Sequence, residues 1–283
     1  MTKTVSLRVR DMEIAASAAG EARRPALLLL HGWPQSRALY HGLLEELGTD
    51  FFVLAPDLPE IGDSRGSPGS GDKSVLADVV LAAAESAGAH DIVVAGLDVG
   101  GMIAFAAARD HGSRIKAAVV MNTVIPGVEP WSKILADPRI WHFAFHAIPK
   151  LPEALVQGRE REYFDFFHDF LAREPKRISE SLRSTFARAY ARPEALKAGF
   201  DWYRAMSDDA KRNAQPKRVP TPLLYVRGDA DRRPIEPYVE GLRAAGVEKL
   251  QSRVVEDSGE LLPVEAPRRF VEVVSGFASS IIP

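Results

Sequence analysis

Residues 96–101 read Gly96-Leu97-Asp98-Val99-Gly100-Gly101 and follow the run Asp91-Ile92-Val93-Val94-Ala95. The apolar run predicts a buried strand, and the residues after Gly101 have helical spacing. Glycines on both sides of the turn predict a tight strand-to-helix bend in which side chains would collide. Such a bend lifts Asp98 to the top of the sheet and directs the following backbone N–H toward it. We interpret Asp98 as a candidate carboxylate nucleophile, able to attack an sp³ carbon and form an ester.

Helix capping is the simpler explanation of Asp98. Aspartate often precedes a helix because its side chain accepts hydrogen bonds from the first-turn N–H groups. Taken alone, this explanation would be the better one. The flanking glycines and the motifs at neighbouring strand ends favour the nucleophile instead.

Apolar runs alternate with helical stretches on both sides of this turn. The runs that predict buried strands are Ala26–Leu30, Phe51–Ala55, Asp91–Ala95, Ala117–Met121, Leu223–Val226 and Leu250–Val255. Helical spacing occurs at Ser74–Ala87, at Gly101–Arg109 and at about residues 265–279, and an antiparallel hairpin is predicted at Val5–Arg10 and Met12–Ser17. Strands that alternate with helices indicate an α/β protein with a mostly parallel sheet covered by helices on both faces.

Between residues 126 and 216 the strand pattern disappears, and aromatic and charged residues recur at helical spacing. We therefore predict a core formed by residues 1–125 and 217–283, interrupted by a helical lid at 126–216. Ligands bind beyond the carboxyl ends of parallel strands, so this lid would roof the binding crevice.

Composition excludes several functional classes. The 283 residues carry a formal net charge of −2 and include no cysteine. Nucleic-acid and membrane partners are therefore not expected, and disulfides and thiolate metal sites are excluded. The sequence has no metal-ligand cluster and no phosphate-binding loop, so no metal and no cofactor is implied. Residues 1–10 lack an apolar signal core and no apolar run reaches ~18 residues, which predicts a cytoplasmic protein. The oligomeric state is left open.

Two further motifs follow the first two central strands: His31-Gly32-Trp33-Pro34 and Asp57-Leu58-Pro59-Glu60-Ile61-Gly62-Asp63-Ser64. Together with the turn at Asp98, they make the chain resemble the α/β-hydrolases, and more narrowly the epoxide hydrolase and haloalkane (haloacid) dehalogenase branch. The resemblance implies that the backbone N–H groups of Trp33 and Val99 form an anion pocket opposite Asp98. It also implies a structural role for His31. Glu60 departs from the family pattern, which has glycine there.

The predicted lid carries the motif Phe200-Asp201-Trp202-Tyr203-Arg204-Ala205. It resembles a segment of epoxide hydrolase lids in which the tyrosine donates a hydrogen bond to the epoxide oxygen, a role this implies for Tyr203. A second lid tyrosine is usual, but the matching segment reads Trp141-His142-Phe143. In haloacid dehalogenases of this branch, His–Trp pairs help to cradle the halide. We therefore treat Trp141, His142 and Trp202 as candidate substrate-binding residues, with ordinary packing as the alternative, and expect a small apolar or aromatic substrate.

The remaining catalytic positions follow the last strands. Gly228-Asp229-Ala230-Asp231 matches the turn that supplies the orienting acid, which the resemblance assigns to Asp231. Asn122 occupies the acid position of some dehalogenases but cannot ionise. The family pattern after the last strand is D-S-G-H, and this chain reads Asp257-Ser258-Gly259-Glu260. Glu260 thus stands where the resemblance implies the histidine that activates water.

Three functional hypotheses follow from Glu260. It could replace the base, oriented by a protonated Asp231, in an enzyme that still hydrolyses an epoxide or a carbon–halogen bond. It could be a general acid that opens an epoxide or promotes rearrangement without hydrolysis. Alternatively, turnover could be lost and the pocket could bind or trap a ligand. Because Asp98, Asp231 and Glu260 are expected to converge, at least one of their pKa values should be raised.

Overall fold

The computed structural model describes residues 1–282, and its eight strands form one sheet. The strands are β1 (Lys3–Val9), β2 (Met12–Ala19), β3 (Ala26–Leu30), β4 (Phe52–Pro56), β5 (Val93–Leu97), β6 (Ala117–Met121), β7 (Leu223–Gly228) and β8 (Leu250–Val255). Their order is β1-β2-β4-β3-β5-β6-β7-β8. The pairs β1–β2 and β2–β4 are antiparallel, and all other pairs are parallel. The predicted α/β class, parallel sheet and lead-in hairpin are confirmed.

The central strands are apolar along their whole length because helices cover both faces of the sheet. Every residue of β3, β5 and β6 is buried. One apolar layer packs the sheet against helices that include Val80 and Ile103. The opposite layer includes Phe270 and Val274 of the C-terminal helix. Burial on two faces removes the polar alternation of a one-sided sheet.

Thirteen α-helices lie among the described residues. They are α1 (Leu44–Leu47), α2 (Lys73–Ser86), α3 (Val99–Asp110), α4 (Trp131–Leu135), α5 (Trp141–Ala147), α6 (Leu151–Val156), α7 (Glu160–Leu171), α8 (Glu180–Ala189), α9 (Pro193–Arg204), α10 (Met206–Asn213), α11 (Glu236–Ala244), α12 (Leu262–Glu265) and α13 (Pro267–Ile281). Short 3₁₀ turns lie at Arg37–Tyr40, Gly112–Arg114, Pro138–Ile140 and Pro175–Arg177. Among residues 1–282, no helix has both the length and the apolar character to cross a membrane.

Helices α4 to α10 all lie between β6 and β7, which confirms a helical insertion. A buried ion pair attaches it to the core: Nζ of Lys73 on α2 lies 2.9 Å from Oδ2 of Asp209 on α10. At a second point, Arg192 donates hydrogen bonds to the backbone carbonyls of Glu60 and Ser64. The insertion therefore covers the carboxyl ends of the parallel strands, where Asp98 and Asn122 lie.

Candidate active site

The turn between β5 and α3 holds Asp98 in an unusual backbone conformation. Its φ is 52° and its ψ is −120°, in the positive-φ region that side chains rarely adopt. A methyl group on Gly96 would collide with the carbonyl of Gly100, and one on Gly100 would collide with the carbonyl of Leu30. A Cβ on Gly32 would lie 2.5 Å from the Cβ of Asp98. These glycines therefore let the backbone pass close beneath the Asp98 side chain.

The Asp98 carboxyl does not cap helix α3. Its Oδ1 accepts a 2.8 Å hydrogen bond from the backbone N–H of Trp33, whereas no donor among residues 1–282 bonds to Oδ2. Burial raises the pKa of Asp98 to about 6, although the N–H groups of Trp33 and Val99 and the charge of Lys73 act in the opposite direction. Asp98 is thus an oriented carboxyl with one oxygen held by the backbone and the other free to react.

Asn122 joins three loops at this end of the sheet. Its Nδ2 donates to the carbonyls of Gly259 and Glu260, at 3.0 and 2.8 Å, and its Oδ1 accepts from the N–H of Gly228 at 2.8 Å. The N–H of Glu260 donates to the carbonyl of Leu171, at 3.0 Å. The backbone of Glu260 is therefore fixed from both sides. The sequence did not predict that Asn122 joins these loops, because Asn122 was considered only for the position of the catalytic acid, where an amide cannot ionise.

Glu260 lines the same cavity as Asp98. No donor among the described residues bonds to its carboxyl. Burial and, next, the charge of Asp98 raise the pKa of Glu260 well above its usual value, while Arg227 acts in the opposite direction. The two carboxyls therefore oppose each other's ionisation, as expected when two acids share a low-dielectric site.

The arrangement around Asp231 corrects the predicted protonated partner of Glu260. Arg233 donates to Asp231 from its backbone N–H and from Nε and Nη2, and Arg227 donates from Nη2. Although burial opposes it, the hydrogen bonds from Arg233 and the charge of Arg227 hold the pKa of Asp231 below its usual value. Asp231 is therefore ionised and bound by two guanidinium groups, and it makes no hydrogen bond to Glu260.

A cavity of about 360 Å³ connects these side chains beneath the insertion. Asp98, Asn122 and Glu260 line its inner end together with lid residues that include His142 and Phe143. The charged residues on its wall are Asp98, Asp137, Arg139, Arg227, Asp231, Arg232, Arg233 and Glu260. The cavity is large enough for a small molecule.

Tyr203 is buried in the lid within an aromatic cluster and is not among the residues that line the cavity. Its ring centroid lies 5.7 Å from that of Trp33, 4.4 Å from that of His146 and 6.0 Å from that of His142. Burial, followed by the charge of Asp98, raises the pKa of Tyr203 well above its usual value. The hydroxyl therefore remains protonated and can only donate or accept a hydrogen bond as a neutral group.

His142 is on the cavity wall, and burial lowers its pKa to about 4, so it is neutral at physiological pH. His146 is fully buried and its Nε2 lies 2.7 Å from the Tyr163 hydroxyl. Neither histidine forms a hydrogen bond to Asp98. The site described by residues 1–282 therefore has no imidazole in hydrogen-bond contact with the candidate nucleophile.

The structure corrects the placement of two lid tryptophans, which do not reach the cavity wall. Trp141 is 44% exposed and packs against Phe166 and Phe167 on the outer surface of the lid. Trp202 is buried between the lid and the core, its ring 6.3 Å from His31, and its carbonyl accepts a hydrogen bond from Lys73. Both side chains are used in packing, the alternative that the sequence also allowed.

Comparison with known proteins gives the same fold as the sheet and the helical insertion described above. A sequence model of the alpha/beta hydrolase fold matches residues 25–266. The chain belongs to the α/β-hydrolase fold family. Within it, the chain lies in the epoxide hydrolase branch, and the resemblance noted from the motifs is confirmed to that extent.

Three relatives illustrate the similarity. The chain is 27% identical over 259 residues to the soluble epoxide hydrolase of Corynebacterium sp. (strain C12), covering 89% of each protein. It is 27% identical over 238 residues to epoxide hydrolase 4 of Mus musculus, covering 79% of this chain and 66% of the mouse protein. The crystal structure of Cfl2 from Burkholderia cenocepacia aligns with a TM-score of 0.87 and 28% identity, covering 98% of this chain and 95% of that chain.

Proposed function

We propose that this α/β-hydrolase opens an epoxide on a small molecule with Asp98, and that Glu260 carries the protons otherwise moved by a base histidine. One observation carries the proposal: Asp98 and Glu260 line one cavity, where burial and the charge of Asp98 raise the pKa of Glu260 well above its usual value. The nucleophile must be ionised and the acid protonated at the same pH, so a raised pKa suits Glu260 to act as the acid. The similarity to epoxide hydrolases supports the choice of electrophile.

In the first step, Oδ2 of Asp98 attacks an epoxide carbon while the carbon–oxygen bond of the ring breaks. Tyr203 hydrogen-bonds to the ring oxygen, and Glu260 gives that oxygen its proton. The product is a hydroxyalkyl ester of Asp98 and an ionised Glu260. Oδ1 remains on the Trp33 N–H throughout, so the attacking oxygen is already oriented.

In the second step, Glu260 acts as the base. Ester formation removes the charge of Asp98 that raises the pKa of Glu260, so the ionised form of Glu260 becomes more favourable. Glu260 takes a proton from water, and the resulting hydroxide attacks Cγ of Asp98. The N–H groups of Trp33 and Val99 stabilise the oxyanion. Collapse releases the diol, whose departing oxygen takes the proton of the re-formed Asp98 carboxyl. One carboxyl thus serves as acid and then base, as in retaining glycosidases.

The raised pKa of Glu260, which favours its protonated form, suits an epoxide better than a carbon–halogen bond. An alkoxide that leaves a strained ring needs a proton or a strong hydrogen bond, whereas a halide ion leaves without one. A protonated Glu260 would have no function in the first step of dehalogenation. It would also have to lose its proton to bulk water before it could act as a base in the second step.

Single turnover in heavy-oxygen water tests the proposal. Enzyme in excess of styrene oxide and related aryl and alkyl epoxides is quenched after one turnover, and the peptide containing Asp98 is weighed. The expected result is one heavy oxygen in Asp98 and none in the diol, because water attacks Cγ of the ester. Asp98→Asn is the control and should give neither product nor label.

Three results would contradict the proposal. A label in the diol but not in Asp98 would show direct attack of water on the epoxide. A rearranged product without incorporated oxygen would show acid-promoted isomerisation by Glu260. Ligand-induced thermal stabilisation without product from any epoxide or haloacid would indicate a binding protein.

A further inference from the structure

Four arginines are among the residues that line the cavity: Arg139, Arg227, Arg232 and Arg233. Arg227 and Arg233 are the most enclosed of them, and each has a terminal nitrogen, Nη1, that is buried without a hydrogen-bond partner among the described residues. Arg227 is only 4% exposed. A buried guanidinium N–H without an acceptor costs about 1–3 kcal/mol, so each such group calls for an explanation, of which a bound acceptor is one.

Two contacts fix the guanidinium of Arg227. Its Nη2 donates to Asp231, and its guanidinium carbon lies 4.2 Å from the centre of the Tyr238 ring. A guanidinium held on one edge by a carboxylate and on one face by an aromatic ring cannot turn its free edge elsewhere. Nη1 is therefore oriented before any ligand binds.

Arg233 is held in a similar way. Its Nε and Nη2 donate to Asp231, which leaves Nη1 3.9 Å from Oδ2 of Asp137, beyond hydrogen-bond distance. Asp137 in turn is bound by Arg139 through Nε and Nη2. The carboxylates on this part of the wall are thus already engaged by arginines, and the Nη1 groups of Arg227 and Arg233 remain for an acceptor from outside.

We propose that the cavity binds a substrate that carries a carboxylate, held by Nη1 of Arg227 and Nη1 of Arg233. This names the substrate class of the proposed function and rests on it for the epoxide at the other end of the molecule. Carboxylate oxygens are the acceptors that guanidinium edges bind most strongly. The predicted apolar or aromatic substrate is thereby refined to one with an apolar body and an anionic end.

The sheet sets the distance between Asp98, which attacks the epoxide, and Arg227, which would bind the carboxylate. Asp98 follows β5 and Arg227 lies in β7, two strands away. Two strand spacings of ~4.8 Å place the backbones about 10 Å apart. The carboxylate should therefore lie several bonds from the epoxide, so that a para-substituted aryl epoxide spans the cavity better than an acid with adjacent functional groups.

Matched ligands test the proposal without turnover. The probes are 4-(oxiran-2-yl)benzoate and its primary amide, which have the same shape but differ in charge, titrated calorimetrically into Asp98→Asn protein. We expect the carboxylate to bind roughly 10-fold tighter or more than the amide, as for charge-assisted hydrogen bonds. Adding Arg227→Gln or Arg233→Gln should remove most of this ratio, while Arg227→Lys should retain part of it.

Arg218→Gln is the matched control, because Arg218 is 88% exposed and pairs only with Glu248. It should leave the ratio unchanged, and thermal melts report whether each variant folds. Equal binding of carboxylate and amide in the Asp98→Asn background would overturn the proposal, as would an unchanged ratio in folded Arg227→Gln and Arg233→Gln. A carboxylate preference without turnover by the wild-type protein would contradict the proposed function but retain the anion site.

Discussion

Arg233 binds both carboxylate oxygens of Asp231, with Nε 3.0 Å from each and Nη2 2.7 Å from Oδ2. Arg227 also donates to Oδ2 of the same carboxylate, from Nη2. Asp231 therefore has its acceptors occupied by cations, and it cannot orient Glu260 as an acid orients a base histidine in the family pattern. The chemistry of Glu260 must follow from its own pKa and from Asp98.

Substitutions at Glu260 should separate the two steps of the reaction. Glu260→Gln should form the ester of Asp98 more slowly, because glutamine can donate a hydrogen bond to the ring oxygen but not a proton. The ester should then accumulate, because glutamine cannot accept the proton of water. Glu260→His should hydrolyse that ester at least about 100-fold faster than Glu260→Gln at neutral pH, since a neutral imidazole is a competent base. Intact-protein mass measured over time gives the ester level. Glu256→Gln, at an exposed position, is the control; wild-type turnover by Glu260→Gln would contradict the proposed role.

The rate of ester formation should depend on pH in a bell-shaped manner. Asp98 must be ionised, so the rate should rise as the pH rises through its pKa of about 6. Glu260 must be protonated, so the rate should fall as the pH rises further, through its raised pKa. Rapid-quench single-turnover kinetics measures both limbs. The alkaline limb should be absent in Glu260→Gln, and its persistence there would assign it to another group.

Asp98→Asn should unfold at a higher denaturant concentration than the wild-type protein at neutral pH. The folded-state pKa of Asp98 is raised from 3.8 to about 6, so the folded state binds more protons than the unfolded state between these values. The resulting cost is absent below pH 3.8, grows up to pH 6 and is complete above it, with an upper limit of about 3 kcal/mol. Urea unfolding at pH 5 and pH 7.5 should show the larger gain at pH 7.5. Asp11→Asn is the matched surface control; a gain independent of pH would exclude this cause.

Glu60 should tolerate glycine better than alanine. Its φ of 68° lies in the left-handed region, which explains why the family pattern has glycine there. Both substitutions remove the carboxylate that lies 3.4 Å from Arg192, and both retain the backbone carbonyl to which Arg192 donates. Glu60→Gly should therefore be more stable than Glu60→Ala by about 1 kcal/mol. Chemical denaturation of the two variants measures the difference, and equal stabilities would show that the turn relaxes to another conformation.

Loss of one member of the buried ion pair between Lys73 and Asp209 should destabilise the protein more than loss of both. Lys73→Met would leave Asp209 buried with its principal cation removed, which typically costs about 3–5 kcal/mol. The double variant Lys73→Met/Asp209→Leu should recover much of this loss, because no buried charge then remains. Unfolding free energies of the two single variants and the double variant complete the cycle. A double variant no more stable than Lys73→Met alone would show that other contacts hold the lid.

The sequence determined the class of fold because burial on two faces leaves a local signature. The apolar runs at Ala26–Leu30 and Ala117–Met121 match β3 and β6 residue for residue. The run at Asp91–Ala95 was placed two residues early, since Asp91 adopts a φ of 46° in a turn. Gly96 and Leu97, assigned to the bend, instead continue the strand by pairing with β6. The ends of a strand are set by its pairing with a neighbouring strand, and the local sequence pattern carries no information about that pairing.

The motifs likewise determined where the site lies. Glycines whose replacement would cause collisions identify the bend at Asp98. The family resemblance pointed to Trp33, whose backbone N–H donates to Oδ1 of Asp98. Only the tertiary structure decided which charges meet. Asp231 pairs with arginines, Asn122 joins three loops, and Trp141 lies on the outer surface. The partners and the burial of each side chain depend on residues distant in sequence. Because these surroundings set the pKa of a carboxyl, its protonation cannot be read from the sequence around it.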